Sequence, residues 1–184
     1  LPAGRNITVS YPEQFQLLFY GELRSATYEG NKDNSIDLLL MRDFVSYSKL
    51  LLDYFSDQHL NYELSSQFGR KLNDNILGIL QGNYRNENGY EKIMHSDNLH
   101  FTPLSKASSG QQEAIRIIQD AMYILKESLG ASRIIEEPET HLFPRAQKLL
   151  IQVLILVANK TNNQVIITTH SPHILATFNN LLYY

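Results

Sequence analysis

Three carboxylates follow a short apolar run in the second half of the chain. Glu136, Glu137 and Glu139 come after the pair Ile134–Ile135. In an open parallel sheet, ligands bind beyond the carboxyl ends of the strands. Carboxylates at that place can hold Mg²⁺ through water or polarise an attacking water. Most acidic runs are solvated loops, so it is the position at a predicted strand end that favours a chemical role.

A histidine stands at the end of a second apolar run. His170 follows the β-branched segment 165–168, within the sequence Thr-Thr-His-Ser-Pro. A histidine at a strand end can donate to a phosphate oxygen or hold a water, although a lone one more often makes a structural hydrogen bond. The stretch between Glu137 and His170 is long enough for a helix, a loop and a strand, and such a crossover brings two parallel strand ends to one edge of a sheet. We therefore expect Glu137 and His170 to lie close together.

A small polar cluster precedes a predicted helix. The first N–H groups of a helix have no internal partner and favour an anion, and glycine allows close approach. Ser109 with Gln112 fits a capping box. A Ser-Ser-Gly helix entry is also common with nothing bound, so this cluster alone does not indicate a ligand. Its members are Ser108, Ser109, Gly110 and Gln111.

The histidines near the acidic cluster offer an alternative chemistry. His141, His170 and His173 could form a transition-metal site with Glu139. Pro172 between the last two histidines argues against the regular helix that would place them on one face, so we do not expect that site. A metal-dependent phosphoesterase built on the carboxylates and histidines stays an alternative, and tight metal binding without nucleotide would favour it.

Alternating helices and strands must position these clusters. The second half of the sequence predicts a helix over about 109–130, a strand at 134–135, a helix over 144–159 and a strand over 165–168. Such alternation is typical of parallel strands with helical crossovers. The sequence therefore predicts an α/β fold with a parallel sheet at its core.

The first half of the chain is more mixed. Apolar residues three and four apart predict helices over about 36–54 and 63–76. Two extended runs around the turn 86–89 predict a β-hairpin, and 99–102 predicts a third strand that ends at Pro103. Three earlier segments are apolar runs of undecided structure or a polar loop: 7–9, 14–19 and 28–35.

The composition is that of a globular protein. The 184 residues fit one domain or most of one, and 43% hydrophobic with 19% charged residues excludes wholesale disorder. The absence of cysteine excludes a disulfide scaffold, a thiolate metal site and a cysteine nucleophile. A net charge of −3 excludes a basic nucleic-acid coat but not a local basic patch.

No stretch predicts a membrane span or a signal peptide, so we expect a cytoplasmic protein. Both ends look cut, so we expect the chain to be part of a longer protein.

The order and spacing of the three clusters resemble the ABC-type ATPases, in particular the branch used in chromosome maintenance, DNA repair and phage defence. Within that branch the resemblance is to the OLD-like (overcoming-lysogenization-defect) and related AAA-annotated ATPases. The segment 107–111 is similar to the signature motif, with Ser109 where transporters usually carry glycine. The segment 134–137 is similar to Walker B, 138–144 to the stretch that follows it, and His170 to the switch histidine.

The resemblance implies a partial P-loop (ABC-type) ATPase head over 1–184, with a helical insertion at 28–80, a β-hairpin, and the motif region at 99–175. It implies ATP and Mg²⁺ as cofactors, a homodimer that holds ATP between two heads, and DNA as a further candidate partner. Glu137 would polarise the attacking water as general base, and His170 would contact the γ-phosphate. Glu136 would help to bind the metal. The helix tip would face a second copy and bind the nucleotide held by that copy, through Ser108, Ser109, Gly110 and Gln111.

Two departures from the family pattern stand out. Glu136 occupies a position where the family usually has aspartate, and the extra methylene would move the carboxylate outward. The phosphate-binding pattern G-x-x-x-x-G-K-[ST] is absent, and the nearest segment, 69–72, lacks the first glycine and the hydroxyl. In the family that loop lies N-terminal to these motifs, so we expect it outside this chain and expect the chain alone to be inactive. A non-catalytic interaction module of ATPase shape is a second alternative, against which Glu137 and His170 argue.

Overall fold

The structure is a computed structural model that describes residues 1, 35–56, 60–130 and 132–182. The apolar runs at 7–9 and 14–19 and nearly all of the polar loop at 28–35 lie outside these described residues. The helices and strands of the described part are α1 (Ser35–Tyr54), α2 (Gln67–Leu80), β1 (Asn83–Glu87), β2 (Tyr90–Met94), β3 (Phe101–Pro103), α3 (Ser109–Glu127), β4 (Ser132–Glu136), α4 (Pro144–Thr161), β5 (Gln164–Thr168) and α5 (Pro172–Leu182).

The two strands that carry the acidic cluster and the histidine form a parallel pair. β4 and β5 run in register from Ser132 opposite Gln164 to Glu136 opposite Thr168. Their connection passes through α4, the helical crossover that parallel neighbours need. Both strands therefore end at the same edge of the sheet, and the parallel pairing predicted from the sequence is confirmed. On the other side of β4, the amino group of Leu1 donates to the carbonyl of Ile134 at 2.6 Å.

One face of this pair is packed and the other is open in the described part of the chain. Ile135 is 1% exposed and belongs to the hydrophobic core with residues of α3 and α4. Ile134 is 57% exposed and Ile166 is 47% exposed. Parallel strands are normally covered on both faces. The described residues therefore build one covered face of an α/β sheet, on the side where α3 and α4 pack.

Helix α3 is the centre of the packing. It contacts α1, α2 and α4, and it is buried along nearly its whole length, including residues on every side. A helix that is buried all round is a core helix. Its buried polar side chains include Arg116, Gln119 and Asp120, and each is hydrogen-bonded to another side chain. The helix that begins at the Ser-Gly cluster is thus held firmly by the rest of the fold.

A three-stranded antiparallel sheet precedes α3. β1 pairs with β2, and β2 pairs with β3. At the tip, Asn88 and Gly89 have φ of 52° and 84°, which suits the two-residue turn of a hairpin. The predicted hairpin is confirmed. The predicted third strand exists, but it spans Phe101–Pro103 instead of 99–102.

The helix predicted over 63–76 begins later than expected. α2 starts at Gln67 because the Ser66 hydroxyl oxygen accepts from the backbone N–H of Gly69 at 2.9 Å, which makes Ser66 the N-cap. Residues 63–65 lie before that cap. In the described residues, no helix is both long enough and apolar enough to cross a membrane.

Candidate functional site

The ends of β4 and β5 bring the predicted base and histidine together. The Nε2 atom of His170 lies 3.5 Å from Oε1 of Glu137. The backbone N–H of Glu137 donates to the carbonyl of Thr168 at 2.9 Å, which ties the two strand ends directly. The His170 side chain is 90% exposed and that of Glu137 is 42% exposed. Both groups are thus within reach of a ligand at the sheet edge, as the crossover argument predicts.

Glu137 adopts a backbone conformation that side chains rarely take. Its φ is 41°, in the left-handed region that is sparsely populated for residues other than glycine. The turn that follows is held by Thr140, whose N–H and hydroxyl both donate to the Glu137 carbonyl, at 3.1 and 2.8 Å. Strained residues of this kind persist only where the surroundings hold them, and they cluster at functional sites. The geometry therefore singles out Glu137 within the acidic cluster.

Glu139, which the sequence grouped with carboxylates that could hold a metal or polarise a water, anchors the loop that carries His170. Its Oε1 accepts from the Thr169 hydroxyl at 2.7 Å, from the His170 N–H at 2.8 Å and from the Ser171 N–H at 3.1 Å. Burial raises the pKa of Glu139, but the hydrogen bonds from Thr169 and from backbone N–H groups lower it more, so it lies below its usual value. Two of these three donors are backbone N–H groups, which every residue except proline carries, so the sequence offers no signal for this contact.

The loop after Glu139 is joined to the histidine loop a second time. The Ser171 hydroxyl donates to Oε1 of Gln147 at 2.6 Å, and Nε2 of Gln147 donates to the carbonyl of Leu142 at 2.8 Å. Gln147 lies in the first turn of α4 and is buried. Sequence analysis missed this residue because a lone glutamine in a helix carries no recognisable pattern.

The capping box predicted at the start of α3 is shifted by one residue. Ser108, not Ser109, is the N-cap: its hydroxyl oxygen accepts from the Gln111 N–H at 3.3 Å, and the Gln111 side chain accepts from the Ser108 N–H at 3.0 Å. Gln112 instead donates to carbonyls of the preceding turn, including that of Leu104 at 3.1 Å. The predicted pairing of Ser109 with Gln112 was therefore wrong, because the helix begins at Ser109, one residue earlier than that pairing requires.

The four residues of the Ser-Gly cluster have different surroundings. Ser108 and Ser109 are exposed at the helix tip. Gly110 is buried, and a Cβ atom there would lie 2.5 Å from the carbonyl oxygen of His141. Gln111 is held by the cap and by a hydrogen bond from its Nε2 to the carbonyl of Leu80 at 2.6 Å. Gly110 thus permits a close approach between the helix tip and the loop that leads on from Glu137.

The donor set at the sheet edge fits a nucleotide-bound Mg²⁺. Mg²⁺ is usually held by one or two carboxylates together with phosphate oxygens and water. Glu136 and Glu137 are adjacent at the end of β4, and Glu136 is exposed. Among the residues that the structure describes, no group of three or more His, Asp or Glu could hold a metal ion by itself.

The described part of the chain is an α/β core in which two parallel strand ends bring carboxylates and a histidine to one edge. The chain belongs to the AAA ATPase domain family, whose model matches residues 31–175. It is also similar to an OLD nuclease from Thermus scotoductus (strain ATCC 700910 / SA-01), with 41% identity over 71 residues. That match covers 38% of this chain and 13% of the nuclease. The resemblance to OLD-like AAA-annotated ATPases predicted from the motifs is confirmed.

Proposed function

We propose that this chain supplies the hydrolytic part of an ABC-type ATPase head in an OLD-like protein that acts in DNA maintenance or repair, or in phage defence. The observation that carries the proposal is the 3.5 Å contact between His170 and Glu137 at the shared ends of two parallel strands. Membership of the AAA ATPase domain family supports ATP as the ligand. The similarity to an OLD nuclease supports the OLD-like assignment. The predicted cytoplasmic location is part of this proposal.

Glu137 is the general base in this proposal. Its exposed carboxylate can accept a proton from an attacking water, and a positioned base of this kind typically contributes about 10²- to 10⁴-fold to a rate. The turn closed by Thr140 holds the carboxylate at the strand end. The His170 ring, 3.5 Å away, can donate a hydrogen bond to a phosphate oxygen. Phosphoryl transfer depends on this kind of positioning and charge stabilisation more than on covalent chemistry.

Glu136 is the residue that we assign to Mg²⁺, which neutralises charge on the phosphate oxygens when it is bound. The backbone N–H of Glu136 donates to the carbonyl of Leu1 at 3.0 Å, which helps to fix the end of β4. We expect Glu136 to contact the metal mainly through water, because Mg²⁺ usually keeps several of its waters in protein sites.

The exposed helix tip at Ser108 and Ser109 is the surface that we assign to the nucleotide of a second head. Hydroxyl groups and the N-terminus of a helix favour a phosphate there. Gly110 and Gln111 contribute by shaping that tip against the loop at His141 and against the end of α2. Two copies that each hold one nucleotide in this way would form a homodimer. DNA as the target of the whole protein belongs to the same proposal.

ATP turnover by the native-length protein, compared with that of this 184-residue chain, tests the proposal. We expect Mg²⁺-dependent hydrolysis by the native-length protein and none above background by the chain alone, because the chain has no G-x-x-x-x-G-K-[ST] loop. A native-length protein that binds its partners but hydrolyses no ATP would favour the interaction-module alternative. Turnover by the chain alone that Glu137→Gln abolishes would show that the chain needs no such loop.

A further inference from the structure

The position of His170 depends on its backbone. Its side chain is 90% exposed, so packing of the ring cannot fix where the ring stands. The backbone N–H groups of His170 and Ser171 and the hydroxyl of Thr169 all donate to one carboxylate oxygen of Glu139. Thr169 also accepts from the Ser171 N–H at 3.0 Å, which tightens the same three residues into a turn. This carboxylate therefore holds the loop from which the histidine projects.

The same carboxylate belongs to the loop that presents the base. Glu139 lies two residues after Glu137, and the buried Pro138 stands between them. In the opposite direction, the N–H of Glu137 donates to the carbonyl of Thr168. The two loops are thus cross-tied by hydrogen bonds on either side of the contact between Glu137 and His170. If these hydrogen bonds were lost, the two loops could shift relative to each other, and the Glu137 and His170 side chains would separate.

We propose that Glu139 is a positioning residue for hydrolysis, which holds His170 beside Glu137 by clamping the loop 169–171; this rests on the proposed function. A carboxylate suits the task because one oxygen accepts several hydrogen bonds, and bonds to a charged acceptor are stronger than neutral ones. Its second oxygen, Oε2, is buried with no hydrogen-bond partner among the described residues.

Amide hydrogen exchange in the 184-residue chain tests the clamp directly. Glu139→Ala is expected to speed exchange of the His170 and Ser171 amides by about 10- to 100-fold, because each loses a hydrogen bond to a charged group. Glu139→Gln keeps an accepting oxygen and is expected to restore most of the protection. Glu87→Ala, which removes an exposed ion pair with Lys92 on the hairpin, is the matched control and should leave both amides unchanged. Unchanged exchange in Glu139→Ala would overturn the clamp.

Measuring ATP hydrolysis by the native-length protein distinguishes a Glu139 that positions His170 from a Glu139 that only stabilises the fold. Glu139→Ala is expected to lower kcat for ATP by about 10- to 100-fold with a smaller change in KM, because it removes orientation of a group that acts in the transition state. In a His170→Ala background the same change should lower kcat by less than about threefold. An equal loss in both backgrounds would contradict positioning of His170. If the wild-type native-length protein hydrolyses no ATP, the proposed function fails, and the exchange result still decides whether the clamp exists.

Discussion

Replacing Glu137 with glutamine is expected to lower kcat for ATP in the native-length protein by about 10²- to 10⁴-fold, the typical contribution of a positioned general base. The amide has nearly the shape of the carboxylate but cannot accept the proton of an attacking water. Nucleotide binding should be retained or tightened, because the variant removes a negative charge from the edge where phosphates would lie. The measurement is steady-state phosphate release together with equilibrium binding of ATP.

The control for this variant is Glu63→Gln, which removes an exposed carboxylate before α2 and far along the chain from the sheet edge. It should leave kcat and ATP affinity unchanged. A Glu137→Gln protein that keeps more than about a tenth of the wild-type kcat would contradict the role of Glu137 as general base. Loss of ATP binding without loss of kcat would instead place Glu137 in binding.

Arg116→Met is expected to destabilise the 184-residue chain by about 3–5 kcal/mol, the usual cost of leaving one partner of a buried ion pair alone. Arg116 is 2% exposed, and its two terminal nitrogens reach the two carboxylate oxygens of Glu91 at 2.7 and 2.8 Å. Burial lowers the pKa of Arg116, but the Glu91 charge raises it, and the net shift is upward. Tyr84 and Gln119 complete the network. Urea unfolding measures the loss.

Two further variants make the Arg116 experiment specific. Arg116→Met combined with Glu91→Leu should recover most of the lost stability, because a buried pair replaced by apolar residues is often close to neutral. Arg42→Met removes an exposed ion pair with Asp43 and should cost less than about 1 kcal/mol. If Arg116→Met lowers the free energy of unfolding by less than about 1 kcal/mol, the network does not hold the three-stranded sheet of β1, β2 and β3 against α3.

The elements that sequence analysis predicted correctly are those with a strong local pattern. The Asn-Gly turn predicts the hairpin because both residues tolerate positive φ. The alternation of helix and strand predicts the parallel pair and, with it, the meeting of Glu137 and His170. In both cases neighbouring residues and chain connectivity decide the outcome. The division of the chain into an insertion and a motif region stays a prediction.

Contacts between loops could not be predicted from the sequence. The clamp formed by Glu139 depends on which oxygen faces which amide, and the bridge through Gln147 depends on the packing of α4 under the loop. Neither has a periodic signature. The one-residue error at the cap of α3 has the same origin, since Ser108 and Ser109 both satisfy the local pattern and only the folded helix selects between them. The roles of the site residues toward ATP stay predictions.

The central claim is that Glu137 and His170 act as one unit at the shared end of β4 and β5. A double-mutant cycle in the native-length protein tests this claim. It compares kcat for ATP in the wild type, Glu137→Gln, His170→Ala and the double variant. We predict that His170→Ala alone lowers kcat by about 10²- to 10³-fold, as expected for loss of a donor to the transition state. The double variant should then lie within about threefold of Glu137→Gln, because residues that act together do not have additive effects. Losses that multiply in the double variant would contradict the account.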